Sequence, residues 1–248
     1  MSKTTAPVKS YNFKPKKENL VIFPANFNQS GGAKIAMHHN GSFICIQTHK
    51  MKTPFGFSTG FGDRFDPHIN ISFDDSEKSN AFLQGIRDFE EIIIEHCFKK
   101  RKELGFYSNA TDSDKATLED FRDKFRSSIR EPKDERYDPT MMFKFKLTGF
   151  KPKEKPHIVS TVRNSKNDEI TPSTKNIPRF SQIIIVTENP TVWISNKGSF
   201  GVNWEIESMK VYPPEPWTGG GGGDNTKEES QVPTGQMLIE DSDSDDED

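Results

Sequence analysis

Residues 142–148 alternate between apolar and other side chains in a pattern that could carry binding chemistry. In a strand, one face would hold apolar residues and the other the ammonium groups of Lys144 and Lys146, about 7 Å apart. That separation resembles the spacing of successive phosphates on an extended nucleic-acid strand. Lys151 and Lys153 follow directly, which favours a groove that tracks a phosphate backbone. The alternative is the solvated outer face of an ordinary strand.

A second candidate site is a run of phenylalanines and glycines. Phe55, Phe57 and Phe61 have the same parity, so their rings would face one way if the segment were extended. Unstacked bases bind such rings with roughly 1–3 kcal/mol per base. An ordinary core strand would show the same pattern. The flanking cations favour nucleic acid for the set, and they are Lys50, Lys52 and Arg64.

The two tryptophans between residues 191 and 211 differ in their predicted surroundings. Val192 and Ile194 point opposite to Trp193, which makes Trp193 the better candidate for stacking on a base. Trp204 shares the parity of the neighbouring apolar residues and is predicted to be in the core. Lys197 lies on the turn beside Trp193. Arg163, at the end of a predicted strand, completes the candidate set.

The motifs of the common enzyme classes are absent from the sequence. The histidines form no HExxH or HxH pattern, and there is no P-loop and no GxSxG. Cys45 and Cys97 are far apart and indicate neither a zinc site nor a disulfide framework, so we expect both to be reduced. The sequence predicts no catalytic residue, no cofactor and no metal, and therefore no enzyme. A nuclease is the remote enzymatic alternative, and incubation of DNA with Mg²⁺ would reveal it.

The elements that must position these residues fall into three blocks. Strand patterns run from Leu20 to Phe73, and Asn40-Gly41 marks a turn among them. Apolar stripes with helical spacing then predict helices over Ser79–Leu104 and Asp114–Arg130. Strands resume and are predicted over 141–150, 157–163, 181–188, 191–195 and 200–212. This order predicts a mainly β fold with an α insert, of the α+β class.

Composition divides the chain into four parts. Residues 1–18 are polar and lysine-rich and are predicted to be a mobile basic arm, and residues 19–216 a nucleic-acid-binding domain with a helical insert at about 76–131. Residues 217–223 are a glycine linker, and residues 224–248 an acidic tail that is predicted to be disordered. The tail has a net charge of −9 and the rest of the chain +6. No apolar run approaches the ~18 residues that a membrane span requires.

The acidic tail is predicted to reach back over the basic body and also to recruit replication proteins. Ser242 and Ser244 each have an acidic residue three positions later, the context that an acidophilic kinase reads, and phosphorylation would add charge there. The alternative is a tail that only improves solubility. The predicted regulatory residues are Glu240, Asp241, Ser242, Asp243, Ser244, Asp245, Asp246, Glu247 and Asp248.

The segment WISNKGSFGVNWEIESMKVYPPE resembles the last strands of single-stranded DNA-binding proteins of nucleocytoplasmic large DNA viruses. Its layout is also similar to that of OB-fold single-strand binders of short-tailed phages, although the chain ends in Glu247-Asp248, where many phage tails end in an aromatic residue. The resemblance covers the chain from about Ser181 onward. It implies an OB-like antiparallel barrel, decorated by two helices and extra strands.

Together these features predict a protein that coats and protects single-stranded DNA, without strong sequence preference, during viral DNA replication, recombination or repair. The expected partners are single-stranded DNA and replication proteins, with no membrane, and the site is intracellular, in the host cytoplasm or nucleus. Self-association into a homo-oligomer stays open. The alternatives are an RNA-binding or transcription factor on the same fold and a replisome or virion scaffold.

Overall fold

Strands dominate the structure, which is a computed structural model that describes residues 6–27, 32–60, 65–106, 114–148 and 156–215. The helices bounded within these ranges are α1 (Glu77–Lys99) and α2 (Leu118–Lys124). The strands are β1 (Val8–Lys9), β2 (Leu20–Ile22), β3 (Asn26–Phe27), β4 (Ala33–His39), β5 (Ser42–Phe43), β6 (Cys45–Gln47), β7 (Met51–Lys52), β8 (His68–Ser72), β9 (Phe125–Arg126), β10 (Ile129–Arg130), β11 (Thr140–Phe145), β12 (Leu147–Thr148), β13 (His157–Ile158), β14 (Thr161–Arg163), β15 (Gln182–Glu188), β16 (Thr191–Ile194), β17 (Phe200–Asn203) and β18 (Glu205–Tyr212). The prediction of a mainly β fold with a helical insert is confirmed.

Five strand positions close into a barrel. The first is formed by β6 and β7, which both pair with β15, and the next three in chain order are β8, β11 and β15. The fifth is β18, which pairs with β11 in parallel and with β15 antiparallel. The spatial order is therefore 1-2-3-5-4 and back to 1, the five-stranded Greek-key barrel of the OB type.

The alternation in β11 sets the inside and the outside of the barrel. Met141, Phe143 and Phe145 are buried, whereas Met142 and Lys144 are only partly buried. Because successive side chains of a strand point to opposite faces, the apolar set fills the barrel and the other set faces outward. The predicted parity of this strand is confirmed.

A second sheet lies beside the barrel and is built from the chain that precedes the first barrel strand and from two connections between barrel strands. Its strand order is β2-β4-β16-β17-β9, and β3 and β5 add to β4. The β16–β17 hairpin belongs to the connection between the fourth and fifth barrel strands. Asn40 and Gly41 join β4 to β5 with φ angles of 54° and 72°, as a two-residue hairpin turn requires.

The helical insert packs on the barrel through aromatic rings. Ser76 caps α1, since its side chain accepts a hydrogen bond from the Ser79 amide. Phe89 of α1 packs on Trp204, with ring centroids 5.7 Å apart. The helix ends at Lys99 rather than at Leu104, where the sequence predicted its end.

The predicted second helix, Asp114–Arg130, is wrong in its last third. Phe125 leaves the helix with extended backbone and pairs with Phe200, so β9 joins the second sheet. Ile129 and Arg130 pair with β11. Strand pairing with β17 and β11 therefore outweighs the local preference for a helix that the spacing of the apolar residues indicates.

The predicted arm over residues 1–18 does not hold for residues 8–13, which are part of the folded body. Val8 and Lys9 pair in parallel with β6. Phe13 is buried and its ring lies 5.5 Å from that of Phe89. Burial of an aromatic ring supplies the free energy that orders this segment. Residues 1–5 and the proposed linker and tail over 217–248 lie outside the described ranges.

Both cysteines are buried as free thiols. Burial raises the pKa of each thiol to about 12, with Glu188 adding to the effect at Cys45. Because the thiolate is the nucleophile, both side chains stay unreactive at neutral pH.

Candidate nucleic-acid interface

An open groove of about 610 Å³ crosses the outer face of β8 and β11. Asn70 and Met142, which face each other across these strands, form its floor, and Lys144 lies one outward position further along. The floor is therefore part of the barrel itself. Residues held by a closed barrel keep fixed positions, which a binding site requires.

Three chain connections form the walls of the groove. Phe65 and Asp66 come from the connection between the first and second barrel strands, and Trp193 comes from the β16–β17 hairpin between the fourth and fifth. Arg126 and Arg130 come from the insert between the second and third strands. The groove therefore lies on the strand face, between the loops, with which OB barrels bind oligonucleotides.

Trp193 is positioned by a glycine on the neighbouring strand. Trp193 faces Gly201 in the β16–β17 pair. A Cβ at Gly201 would lie 3.0 Å from Cζ2 of Trp193 and 2.5 Å from the backbone carbonyl oxygen of Arg126. Only glycine leaves room for the indole to lie over this strand while β9 approaches on its other side. The ring is partly buried and keeps a surface toward the groove.

Trp204 has a different role, although it reaches the bottom of the groove. Its ring is buried between Phe89 and Phe143, and its Nε1–H donates a hydrogen bond of 3.0 Å to Ser128 Oγ. Such contacts on all sides make Trp204 a core residue, as its parity predicted. Phe65, 40% exposed, supplies a second ring to the groove.

Cations outnumber anions along the groove. Among the described residues that line the groove, the four cations are Lys34, Arg126, Arg130 and Lys144, and the two carboxylates are Asp66 and Glu205. Lys144 Nζ lies 3.0 Å from Asp66, and Lys34 Nζ lies 3.4 Å from Glu205. Exposed pairs of this kind contribute little to stability, so a phosphate can replace the carboxylate.

The two arginines carry the unpaired charge. Both side chains are exposed, and in the described part of the chain neither guanidinium contacts a carboxylate. Arg126 donates only to the backbone carbonyl of Asp123, at 3.3 Å. A guanidinium matches phosphate oxygens with two parallel donors. These arginines are the strongest phosphate-binding candidates in the groove.

Buried Glu90 holds the segment that carries the arginines. Its carboxylate accepts hydrogen bonds of 2.6 Å from Ser127 Oγ and from the backbone amide of Ser128. Burial raises the pKa of the Glu90 carboxyl, while the bonds from Ser127 and Ser128 partly lower it. Since Ser128 also accepts from Trp204, one network links α1, the arginine segment and the core.

Among the predicted binding residues that the structure describes, only Lys144 and Trp193 line the groove. Lys146 forms an ion pair with Glu207. Lys197 is exposed on the hairpin turn beside Trp193, and Arg163 donates to the carbonyl of Asn167. The lysines predicted to support binding beside the phenylalanine run do not line the groove. The ammonium group of Lys50 lies over the ring of Tyr212, and that of Lys52 over the ring of Phe180.

The phenylalanine run does not present its rings on one face, and that prediction is wrong. Gly56 has a φ of 66°, which turns the chain between the two rings. Phe55 is 56% exposed, whereas Phe57 is buried against Phe145 with centroids 5.3 Å apart. Phe57 is therefore a core residue. The backbone of Ile177 approaches Gly56 so closely that its carbonyl oxygen would lie 2.6 Å from a Cβ at this position.

Four further site residues that we predicted from the sequence cannot be placed. Phe61, Arg64, Lys151 and Lys153 lie outside the described residues, as does the acidic tail. Conversely, the sequence reading missed Lys34, Phe65, Arg126 and Arg130. The only sequence signal near these arginines is the pair Ser127-Ser128. Serine favours helix ends and turns over helix interiors.

These features define the class of the protein as an OB-type barrel with a basic, aromatic groove. No protein-family model matches the sequence, and neither does any curated protein. Solved structures similar to the chain include two phage proteins. One is gp2.5, a single-stranded DNA-binding protein encoded by bacteriophage T7, with a TM-score of 0.44 and 13% identity over 78% of this chain and 100% of that chain.

The second is a C-terminally truncated single-stranded DNA-binding protein from bacteriophage Enc34. The match has a TM-score of 0.38 and 12% identity, and it covers 79% of this chain and 96% of the Enc34 chain. Similarity at this level does not by itself assign a function, which depends on the groove. Within the described ranges, no helix is long and apolar enough to cross a membrane.

Proposed function

We propose that the protein binds single-stranded DNA in the groove over β8 and β11, without strong sequence preference. The observation that carries this proposal is the placement of the Trp193 ring and the unpaired guanidinium groups of Arg126 and Arg130 around one open channel. The arginines would hold phosphates, and the rings of Trp193 and Phe65 would stack on bases.

Single-stranded rather than duplex DNA fits the aromatic part of the groove. Stacking on a ring requires a base face that is free, and the bases of a duplex cover one another. Ring stacking tolerates every base because each has a π-face, which explains binding without sequence preference. Base-edge readout, which a sequence-specific protein needs, would require more directed donors and acceptors.

The biological role that we propose is the coating and protection of single strands during viral DNA replication, recombination or repair. The resemblance of residues 193–215 to proteins of nucleocytoplasmic large DNA viruses supports a viral origin. The protein would act without catalysis and without a cofactor. The acidic residues from Glu240 onward would compete with DNA for the groove and recruit replication proteins when displaced.

The test is a titration of fluorescent single-stranded and double-stranded DNA of one sequence, at several salt concentrations. We expect single strands to bind more tightly, with log affinity falling linearly against log salt by about 0.7 for each phosphate neutralised. A single-stranded RNA of the same sequence is the third arm. Equal or tighter binding of RNA would replace the proposal by an RNA-binding function, and equal binding of duplex DNA would contradict it.

A further inference from the structure

The outer face of the second sheet carries an aromatic cluster beyond the groove. The His38 ring lies between two phenyl rings, with centroid distances of 4.7 Å to Phe23 and 4.6 Å to Phe43. Phe23 is 38% exposed and Phe43 is 50% exposed. We call Phe23, His38 and Phe43 the aromatic platform. Exposed rings on a sheet cost solvation free energy, so their clustering on one face indicates a binding surface.

Strand register places this platform on the same face as the groove residues. His38 pairs with both Val21 and Phe43, and Lys34 pairs with Trp193. Lys34 and His38 are four residues apart on β4, so they have the same parity and point to the same side. The opposite side, with Ile35 and Met37, is buried.

The surface between the two sites is open. Ala36 lies midway along β4, and its small side chain is exposed. Phe23 is held opposite Ala36, since its amide donates to the Ala36 carbonyl at 3.1 Å. The path from Lys34 to His38 spans about 13 Å of strand, about two nucleotides of an extended chain.

Lys34 supplies a cation at the groove end of this path, and the rings around His38 lie at the other end. A sheet face that continues the groove and combines a cation with aromatic rings has the elements of a single-strand channel.

We propose that the aromatic platform is a second stacking site for the same DNA strand. The strand would leave the groove beside Lys34, pass over Ala36, and place a base against the rings of Phe23 and Phe43. This inference rests on the proposed function of the groove. It extends the binding path by about two nucleotides and predicts an affinity that depends on oligonucleotide length.

The experiment uses the full chain with a fluorescent oligothymidine series that increases in length by one nucleotide. In the wild type, affinity should rise until the strand reaches both sites. The double variant Phe23→Ala/Phe43→Ala should bind short oligonucleotides like the wild type, but long ones roughly 5- to 150-fold more weakly. Its affinity should level off about two nucleotides earlier.

Phe180→Ala is the matched control, because Phe180 is 56% exposed but lies over Lys52, away from the groove. Phe43→Tyr keeps a ring and should bind like the wild type at every length, whereas Phe43→Ala alone should reproduce part of the loss. Circular dichroism and thermal unfolding verify the fold of each variant.

Three outcomes would overturn the inference. If the double variant bound long oligonucleotides like the wild type, the platform would not contact DNA, and a protein partner would be the remaining occupant. An equal loss at all lengths would show that the platform acts through the fold. If the wild type bound no oligonucleotide at any length, the proposed function would fail first and this inference with it.

Discussion

The indole of Trp193 lies over Gly201, its partner on the adjacent strand, and occupies the space that any other side chain would need. The same glycine admits the backbone carbonyl of Arg126. One missing side chain therefore brings the stacking ring and the arginine segment together.

Gly201→Ala should accordingly weaken DNA binding, although Gly201 itself does not line the groove. The added methyl group must displace either the indole or β9, and such overpacking costs about 1–3 kcal/mol of stability. We expect affinity for single strands to fall about as far as in Trp193→Ala. Titration and chemical unfolding measure the two effects. Asn196→Ala, exposed in the same hairpin, is the control, and wild-type affinity in Gly201→Ala would disprove this account.

The two tryptophans should respond differently to truncation. Trp193→Ala should weaken binding by roughly 1–3 kcal/mol and leave the fold intact, because it loses a stacking surface. Trp204→Ala should lower the free energy of unfolding by roughly 3–5 kcal/mol, because it leaves a cavity between Phe89 and Phe143. Urea unfolding and DNA titration of both variants are the measurements. A reversed pattern would place the bases at Trp204 instead.

Salt dependence should identify the cations that contact phosphates. Arg126→Gln with Arg130→Gln should make the slope of log affinity against log salt shallower by about 1.4, since two phosphate contacts are lost. Lys144→Gln should make this slope shallower still. Lys146→Gln should leave the slope unchanged, because Lys146 pairs with Glu207 outside the groove. The control is Lys50→Gln with Lys52→Gln, and a shallower slope in that pair would move the binding path to the other side of the barrel.

Glu90 should make stability depend on pH in a defined direction. Its pKa is raised in the folded protein, so its contribution to stability is present below the unfolded pKa of about 4.3 and is lost as the pH rises through the folded pKa. Glu90→Gln removes the buried charge and keeps an acceptor for the Ser128 amide. The variant should therefore gain stability relative to the wild type as the pH increases from 4 to 8.

Thermal midpoints of both proteins across that pH range are the measurement. Asp88→Asn, on the exposed side of the same helix, is the control for loss of one negative charge. If the difference in thermal midpoint between Glu90→Gln and the wild type stayed constant with pH, titration of the buried Glu90 carboxyl would not be its cause. Glu90→Ala should destabilise at every pH by about 1–3 kcal/mol, because it leaves the buried Ser128 amide without an acceptor.

Deletion of residues 224–248 tests the proposed competition by the tail. The segment has a net charge of −9 against +6 for the remainder, and a linker of five glycines separates them. Removal should raise affinity for single strands, more at low salt than at high, because screening weakens the competitor. A deletion that leaves low-salt affinity unchanged would refute autoinhibition and leave DNA binding intact.

The alternation of apolar residues in the sequence was sufficient to predict which residues of β11 are buried and which of the two tryptophans lies in the core. Buried and partly buried residues alternate along β11 and β16, so parity determines which side is buried there. The same reasoning failed at Phe57, because the positive φ of Gly56 reverses the chain direction and resets the parity. A positive φ depends on the approach of the Ile177 backbone, which adjacent residues do not reveal.

Most of the groove could not be predicted, since its walls come from distant segments. Lys34 precedes the first barrel strand, and Phe65 and Trp193 come from two connections of the barrel, so these residues meet only in the folded chain. Arg126 was hidden by a stripe of apolar residues that fits a helix locally. Pairing of β9 with β17 decided its conformation, and such long-range pairing leaves little trace in local spacing.

The closure of the barrel also sets when this chain can fold. The Ile185 amide donates to the Thr48 hydroxyl, and these partners are 137 residues apart. At about 5–20 residues per second, a ribosome needs about 7–27 seconds to synthesise that interval. During this time the first barrel strand has no fourth strand to pair with, so its edge is open to other chains or chaperones. We therefore expect nascent N-terminal fragments of this protein to aggregate more readily than the finished chain.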